Sequence, residues 1–217
     1  LQTYALGNFR NFVYEMGKTP AMLVFLNGVQ NNRFEPNENY ARELYELFTL
    51  GQNNGYTQSD IVETAKALTG WHVNYEFFSI SFQAGIHDNG NKTIFGQTGN
   101  WGYSDVIDIL FQQHTDRIAT FICQKLYRFF VNPEIDDTII SELATTFKNN
   151  NFEIAPVLRQ LFKSEHFFDE HNIGSIVKSP TDALLPMARV LELPFNIVLE
   201  EEVDPDTGAV YQFKWQH

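Results

Sequence analysis

One cysteine, Cys123, is all the thiol this 217-residue chain possesses, so it can build no intrachain disulfide, CxxC redox motif or cysteine zinc site. Positive charge is also scarce: 15 Lys and Arg stand against 27 Asp and Glu, a net charge of −12, with no basic cluster or stripe. Binding nucleic acid requires such a stripe, so nucleic acid is not an expected partner, and anionic membrane surfaces are disfavoured for the same reason. Long apolar runs are missing. The longest near the start, Ala21 to Leu26, is far short of the roughly 20 residues a spanning helix needs, so no membrane insertion is expected. No nucleophile elbow, P-loop, dinucleotide fingerprint or HExxH motif occurs. Residue 1 is Leu, without a charged and then apolar leader behind it, which suggests a piece excised from a longer precursor.

What the chain has is aromatic side chains, 20 Phe and 9 Tyr, with only 19% charged residues. That composition folds, and the length suits one domain. Apolar residues recur at helical spacing in Leu6–Met16, in a short segment opened by Thr19 and Pro20, and around Val106–Phe111. They do so again through Ile118–Phe130, the expected central core helix, and in two helices flanking Asn149–Asn151. The fold class is therefore mainly α: a helical, bundle-like single domain over residues 1–193, with a small β-hairpin inserted near residues 78–96. A last helix from Asp182 to Leu193 should stop at Pro194, and residues 194–217, rich in Glu and Asp, read as an acidic loop or short ribbon leading to a truncated C-terminal part.

The densest polar set lies between Pro36 and Trp71 and predicts two capped helices joined by a tight turn. In the first, Asn37 is the expected cap, Gly51 the stop, and Tyr40, Ala41, Leu44, Leu47 and Phe48 the core face. Its polar arc carries Glu38, Asn39, Arg42, Glu43 and Glu46. Glu38, Arg42 and Glu46, four apart, read either as a solvated salt-bridge ladder or as part of a site. Glu43 borders the apolar arc and should be partly desolvated. The second helix opens with a Thr57–Asp60 capping box, buries Ile61, Val62, Ala65, Leu68 and Thr69, and ends at Gly70.

After Trp71 the period changes to two, and Asn89-Gly90 is the strongest local hairpin signal. With that pair as the turn, Ile86 faces Thr93 and His87 faces Lys92, bringing His87, Asp88 and Lys92 towards the acidic arc if the ribbon packs there. A second cluster, His166, Asp169, Glu170 and His171, falls at a predicted helix end and reads as a solvated terminus.

Five segments in order, P-N-E-N-Y-A-R-E-L-Y-E-L-F-T-L-G from Pro36, Y-T-Q-S-D-I-V-E-T-A-K-A-L-T-G-W from Tyr56, F-Q-A-G-I-H-D-N-G-N-K-T-I-F-G from Phe82, K-L-Y-R-F-F from Lys125 and I-V-K-S-P from Ile176, resemble the bacterial domain-of-unknown-function family 1800. The resemblance implies a largely helical, bacterial, exported protein, hence an extracytoplasmic setting (periplasmic or secreted), in which Asn37, Glu38, Asn39, Arg42, Glu43, Glu46, Asp60, Thr69, Trp71, His87, Asp88 and Lys92 are the recurring polar positions. Lys66 stands where the family usually has Arg, which keeps charge but loses the planar fork.

Two functions follow. In one, the chain is hydrolase-like and acts on an extracellular polymer or glycan, with Glu43 and Glu46 as acid or base, His87 and Asp88 nearby, and Trp71 as a stacking wall. In the alternative it is a non-catalytic scaffold or partner-binding domain, and Asn37, Glu38, Asn39, Arg42, Asp60, Thr69, Trp71 and Lys92 belong to a structural hydrogen-bond network. No cofactor or metal is expected; a divalent cation on Glu43, Glu46, His87 and Asp88 is a minor variant.

Overall fold

A computed structural model describes residues 3–192, 201–203 and 210–212. It divides into two compact units, Leu1–Ile176 and Val177–His217.

The first unit is mainly α. Helix α1 (Phe9–Gly17) is opened by Asn8, whose side chain accepts the Asn11 amide, and α2 (Pro20–Phe25) by Thr19, which does the same for Met22. Helix α3 (Asn39–Glu43) runs without a break into a π-helical turn, Leu44–Thr49, in which the Leu50 amide reaches the Tyr45 carbonyl at 2.8 Å. The wider turn delays the rotation of each following side chain. Tyr40, Ala41 and Leu44 are buried as expected, but Tyr45 then takes the inward place and Leu47, expected in the core, is 55% exposed.

Helix α4 (Gln58–Ala67) opens with the expected Thr57–Asp60 capping box. Gly70 follows with φ +100°, and a Cβ there would meet Phe82 at 2.8 Å and the Cβ of His87 at 3.0 Å. Only glycine fits both the backbone and the space.

Two antiparallel hairpins come next, and their turns differ from the expected one. Strands β1 (Trp71–Asn74) and β2 (Ser79–Phe82) pair with Trp71 opposite Phe82, and β3 (Lys92–Ile94) and β4 (Gln97–Gly99) pair with Ile94 opposite Gln97. The two-residue turn is Phe95-Gly96, with φ +48° and +76°, not Asn89-Gly90. Asp88 accounts for the difference, because its carboxylate accepts the Gly90 amide at 2.7 Å and folds that stretch into a loop of its own. Ile86 and His87 therefore do not pair with Thr93 and Lys92.

Helices α5 (Tyr103–Gln113), α6 (Thr115–Phe130), α7 (Asp137–Asn149) and α8 (Ile154–Lys163) complete the unit. Helix α6 packs on α5, α7 and the π-turn, and buries Ile118, Ala119, Ile122, Cys123 and Tyr127. The N-terminal segment is tied to the start of α8 by Phe9 N–H to Phe152 O and Ile154 N–H to Gly7 O.

In the second unit, Ser179 caps α9 (Pro180–Val190), and β5 (Glu201–Val203) pairs with β6 (Val210–Gln212). The boundary expected at Pro194 lies outside the described residues, as do Glu200, Asp204 and Asp206.

Candidate functional site

The polar residues singled out from the sequence fall into two groups, each hydrogen-bonded to α4. The first joins α3 to α4. Arg42 donates to Glu38 at 2.8 Å and to the Gln58 side-chain oxygen at 3.0 Å, Glu46 lies 3.5 Å away, and the Gln58 amide closes the ring onto Glu38 at 2.8 Å. Arg42 and Glu38 are each about a third exposed, so water competes for every member. Asn37 accepts the Asn39 amide at 3.0 Å, and Asn39 itself is exposed. Glu43 is half-buried, with Oε2 fully shielded and without a hydrogen-bond partner.

The second group is enclosed. Lys92 has no exposed side-chain surface; its ammonium donates to the Asp88 carbonyl and, at 3.0 Å, to Asn100, and the Asp88 carboxylate lies 3.9 Å away. Burial lowers its pKa, against the pull of Asp88, Glu63 and Asp105. Thr69, also buried, donates its hydroxyl to the Lys66 carbonyl at 2.7 Å and accepts the Asp88 amide at 2.8 Å. His87 Nδ1 lies 2.9 Å from the Thr69 carbonyl oxygen. A carbonyl can only accept, so Nδ1 carries a proton and donates it to this bond.

Helix α4 fastens β3 to the body by an arrangement the sequence did not announce. Asp60 accepts the Phe95 amide at 2.8 Å and Glu63 the Thr93 amide at 3.2 Å. Residues three apart on a helix share a face, as do residues two apart on a strand, so two carboxylates satisfy alternate amides of a strand edge that would otherwise be unpaired. Asp60 also receives Thr57 N–H and O–H, which leaves it acting as an anchor for both cap and strand. Asn31, Gln58, Glu63 and Asn100 were not singled out from the sequence, yet each links two segments; Asn31 donates to the Ala65 carbonyl and accepts the Asn37 amide, both at 2.9 Å.

Trp71 is half-buried, its ring steeply inclined to those of Phe82 at 5.4 Å and Tyr103 at 6.0 Å. No hydrogen bond or ion pair among the described residues joins Glu43 or Glu46 to His87 or Asp88. Nor, among those residues, do three His, Cys, Asp or Glu side chains gather closely enough to hold a metal ion. His166 is occupied by the Tyr127 hydroxyl at 2.7 Å. A polar cleft of about 440 Å³ is lined in part by Thr57, Asp60, Thr93, Phe95 and His114. His114, another residue the sequence did not flag, has a shielded, unpartnered Nε2 and a pKa lowered by burial and by Arg117, with Asp60 opposing.

A mainly helical unit with two short hairpins pinned by buried polar groups is the class of protein that these features define. The chain matches the family described as "Protein of unknown function (DUF1800)" over residues 1–214, and it belongs to that family. No match was found among curated proteins or among solved structures. Among the described residues no helix is long and apolar enough to cross a membrane.

Proposed function

We propose that the first unit is a non-catalytic scaffold or partner-binding domain, in which the Thr69, His87, Asp88 and Lys92 groups lock the hairpins onto the helices. The observation that carries this reading is the wholly buried Lys92 ammonium, which spends its hydrogen bonds on a backbone carbonyl and on Asn100. An acid–base site needs its carboxylates and imidazole within reach of one substrate atom. Glu43 and Glu46 instead sit on the α3 side, and Glu46 is engaged by Arg42. An extracytoplasmic setting, with a protein or extracellular polymer as the partner, belongs to the same proposal and rests on the family alone.

Melting curves and amide exchange test it. Lys92→Ala and Thr69→Val should lower Tm by several degrees, at about 2–4 °C per kcal/mol for a chain of this size, and open the amides of Phe82–Gly99 to exchange. Glu46→Gln, at a partly exposed pair, should leave both nearly unchanged. Polysaccharide hydrolysis by the wild type that disappears in Glu43→Gln and in Glu46→Gln would overturn the scaffold reading and install the hydrolase.

A further inference from the structure

A cavity of about 270 Å³ is walled by α1, α2, the α3–π segment and α6 and shares no lining residue with the Lys92 group. Phe9, Phe12, Val13 and Met16 supply one wall, with Leu47 and Phe48 facing them. At the rim Lys125, exposed on α6, holds its ammonium 4.8 Å over the Phe121 ring.

The geometry points to a binding site for a small amphipathic anion: a free aliphatic monocarboxylate of about ten heavy atoms, its chain among the phenyl and thioether groups and its carboxylate at Lys125. The size follows from the volume, which lies between a cavity that accepts a single ring and one that accepts a drug-sized molecule. The apolar chain follows from the walls. Even the floor offers a tail no free polar atom: Gly17, where a Cβ would overlap the Tyr40 and Tyr103 hydroxyls, lets these groups meet, and the Tyr103 hydroxyl donates to the Tyr14 carbonyl at 2.9 Å.

The carboxylate follows from the charge. Within a chain of net charge −12, Lys125 has no carboxylate within ion-pair distance among the described residues. It leaves a cation at the mouth of an otherwise neutral cavity, a placement that favours an anionic head and opposes a cationic one. Two features make the walls receptive. The π-turn rotates Leu47 out of the core and up to the mouth, and π-turns recur at functional sites. Met16 and Met22 are two of the three methionines of the chain, and an unbranched thioether adapts to an irregular guest.

Calorimetric titration of the full chain with octanoate, octan-1-ol and octyltrimethylammonium tests the site. Octanoate should bind saturably at one site, the alcohol more weakly, and the cation not at all. Lys125→Glu, at an exposed position, should weaken octanoate by about fivefold or more and leave the alcohol unchanged. Leu47→Trp, which fills the mouth, should weaken both. Absence of saturable octanoate binding by folded protein would overturn the proposal, as would equal affinity for octanoate in wild type and Lys125→Glu. So would a dimer in sedimentation velocity that Leu47→Glu disperses, since the face would then be covered by a second copy of the chain.

Discussion

Glu38, Arg42 and Glu46, along α3 and the π-turn that continues it, and Thr69, His87, Asp88 and Lys92, beyond α4, both bring opposite charges together, yet they differ in what surrounds them. Arg42 and Glu38 of the α3 ladder keep about a third of their side-chain surface in water, where opposite charges gain little from each other and lose side-chain freedom to meet. Lys92 and Thr69 are closed off, so their donors and acceptors must find protein partners or cost the fold their desolvation energy. Spacing in the sequence makes the first look like the more organised site. Enclosure makes the second the one on which the fold depends.

Alkaline pH separates buried from exposed groups most sharply. Burial raises the pKa of Tyr40 to about 12 and raises Tyr45 and Tyr103 as well. A hydroxyl whose folded pKa is raised contributes stability that is complete below the unfolded value near 10 and is lost as pH climbs through the folded one. Each such tyrosine should cost about 1.4 kcal/mol of stability per pH unit from roughly pH 10 upward. Lys92 works the other way, since a lowered folded pKa makes stability rise with pH up to the ordinary lysine value near 10.5. Urea unfolding at pH 9 and pH 11 should therefore show a large net loss, reduced in Tyr40→Phe; a flat profile would mean these hydroxyls are solvated.

Truncation acts next. Lys92→Ala removes a buried side chain and strands the Asp88 carbonyl and Asn100, an expected loss of about 3 kcal/mol in urea unfolding. Lys92→Met keeps the volume and should lose less, which apportions the loss between packing and hydrogen bonds. Gly70→Ala forces a Cβ into the left-handed region and against Phe82 and His87, for a loss of about 2 kcal/mol. Wild-type stability in that variant would show that the α4–β1 junction relaxes freely.

The helices were legible because capping residues and apolar periods are local. Thr19, Thr57 and the Asp60 carboxylate do what their positions announce. The failures came where a competing contact overrode the preference read from the sequence. Asn89-Gly90 has the chemistry of a hairpin turn, but Asp88 captures the Gly90 amide first. Phe95 has no local reason to adopt φ +48°; its ring is held 4.3 Å from His114 and 5.1 Å from Tyr45, and its amide by Asp60. Tyr45 and Leu47 exchange roles because a π-turn is a departure from the very period used to assign them. For the site, residue types were legible and grouping was not, since an acidic arc reads the same whether it faces water or a hairpin.

Arg42 supplies the gentlest test of the contrast. Its guanidinium touches Glu38, Glu46 and Gln58 at once, which on a contact list looks like a keystone, and under a buried-network reading Arg42→Ala should be severe. With over a third of the side chain exposed, water replaces each lost partner, so the expected loss is below about 1 kcal/mol and shrinks further in molar salt. A loss equal to that of Lys92→Ala and insensitive to salt would place the ladder in the interior in energetic terms and erase the distinction between the two groups.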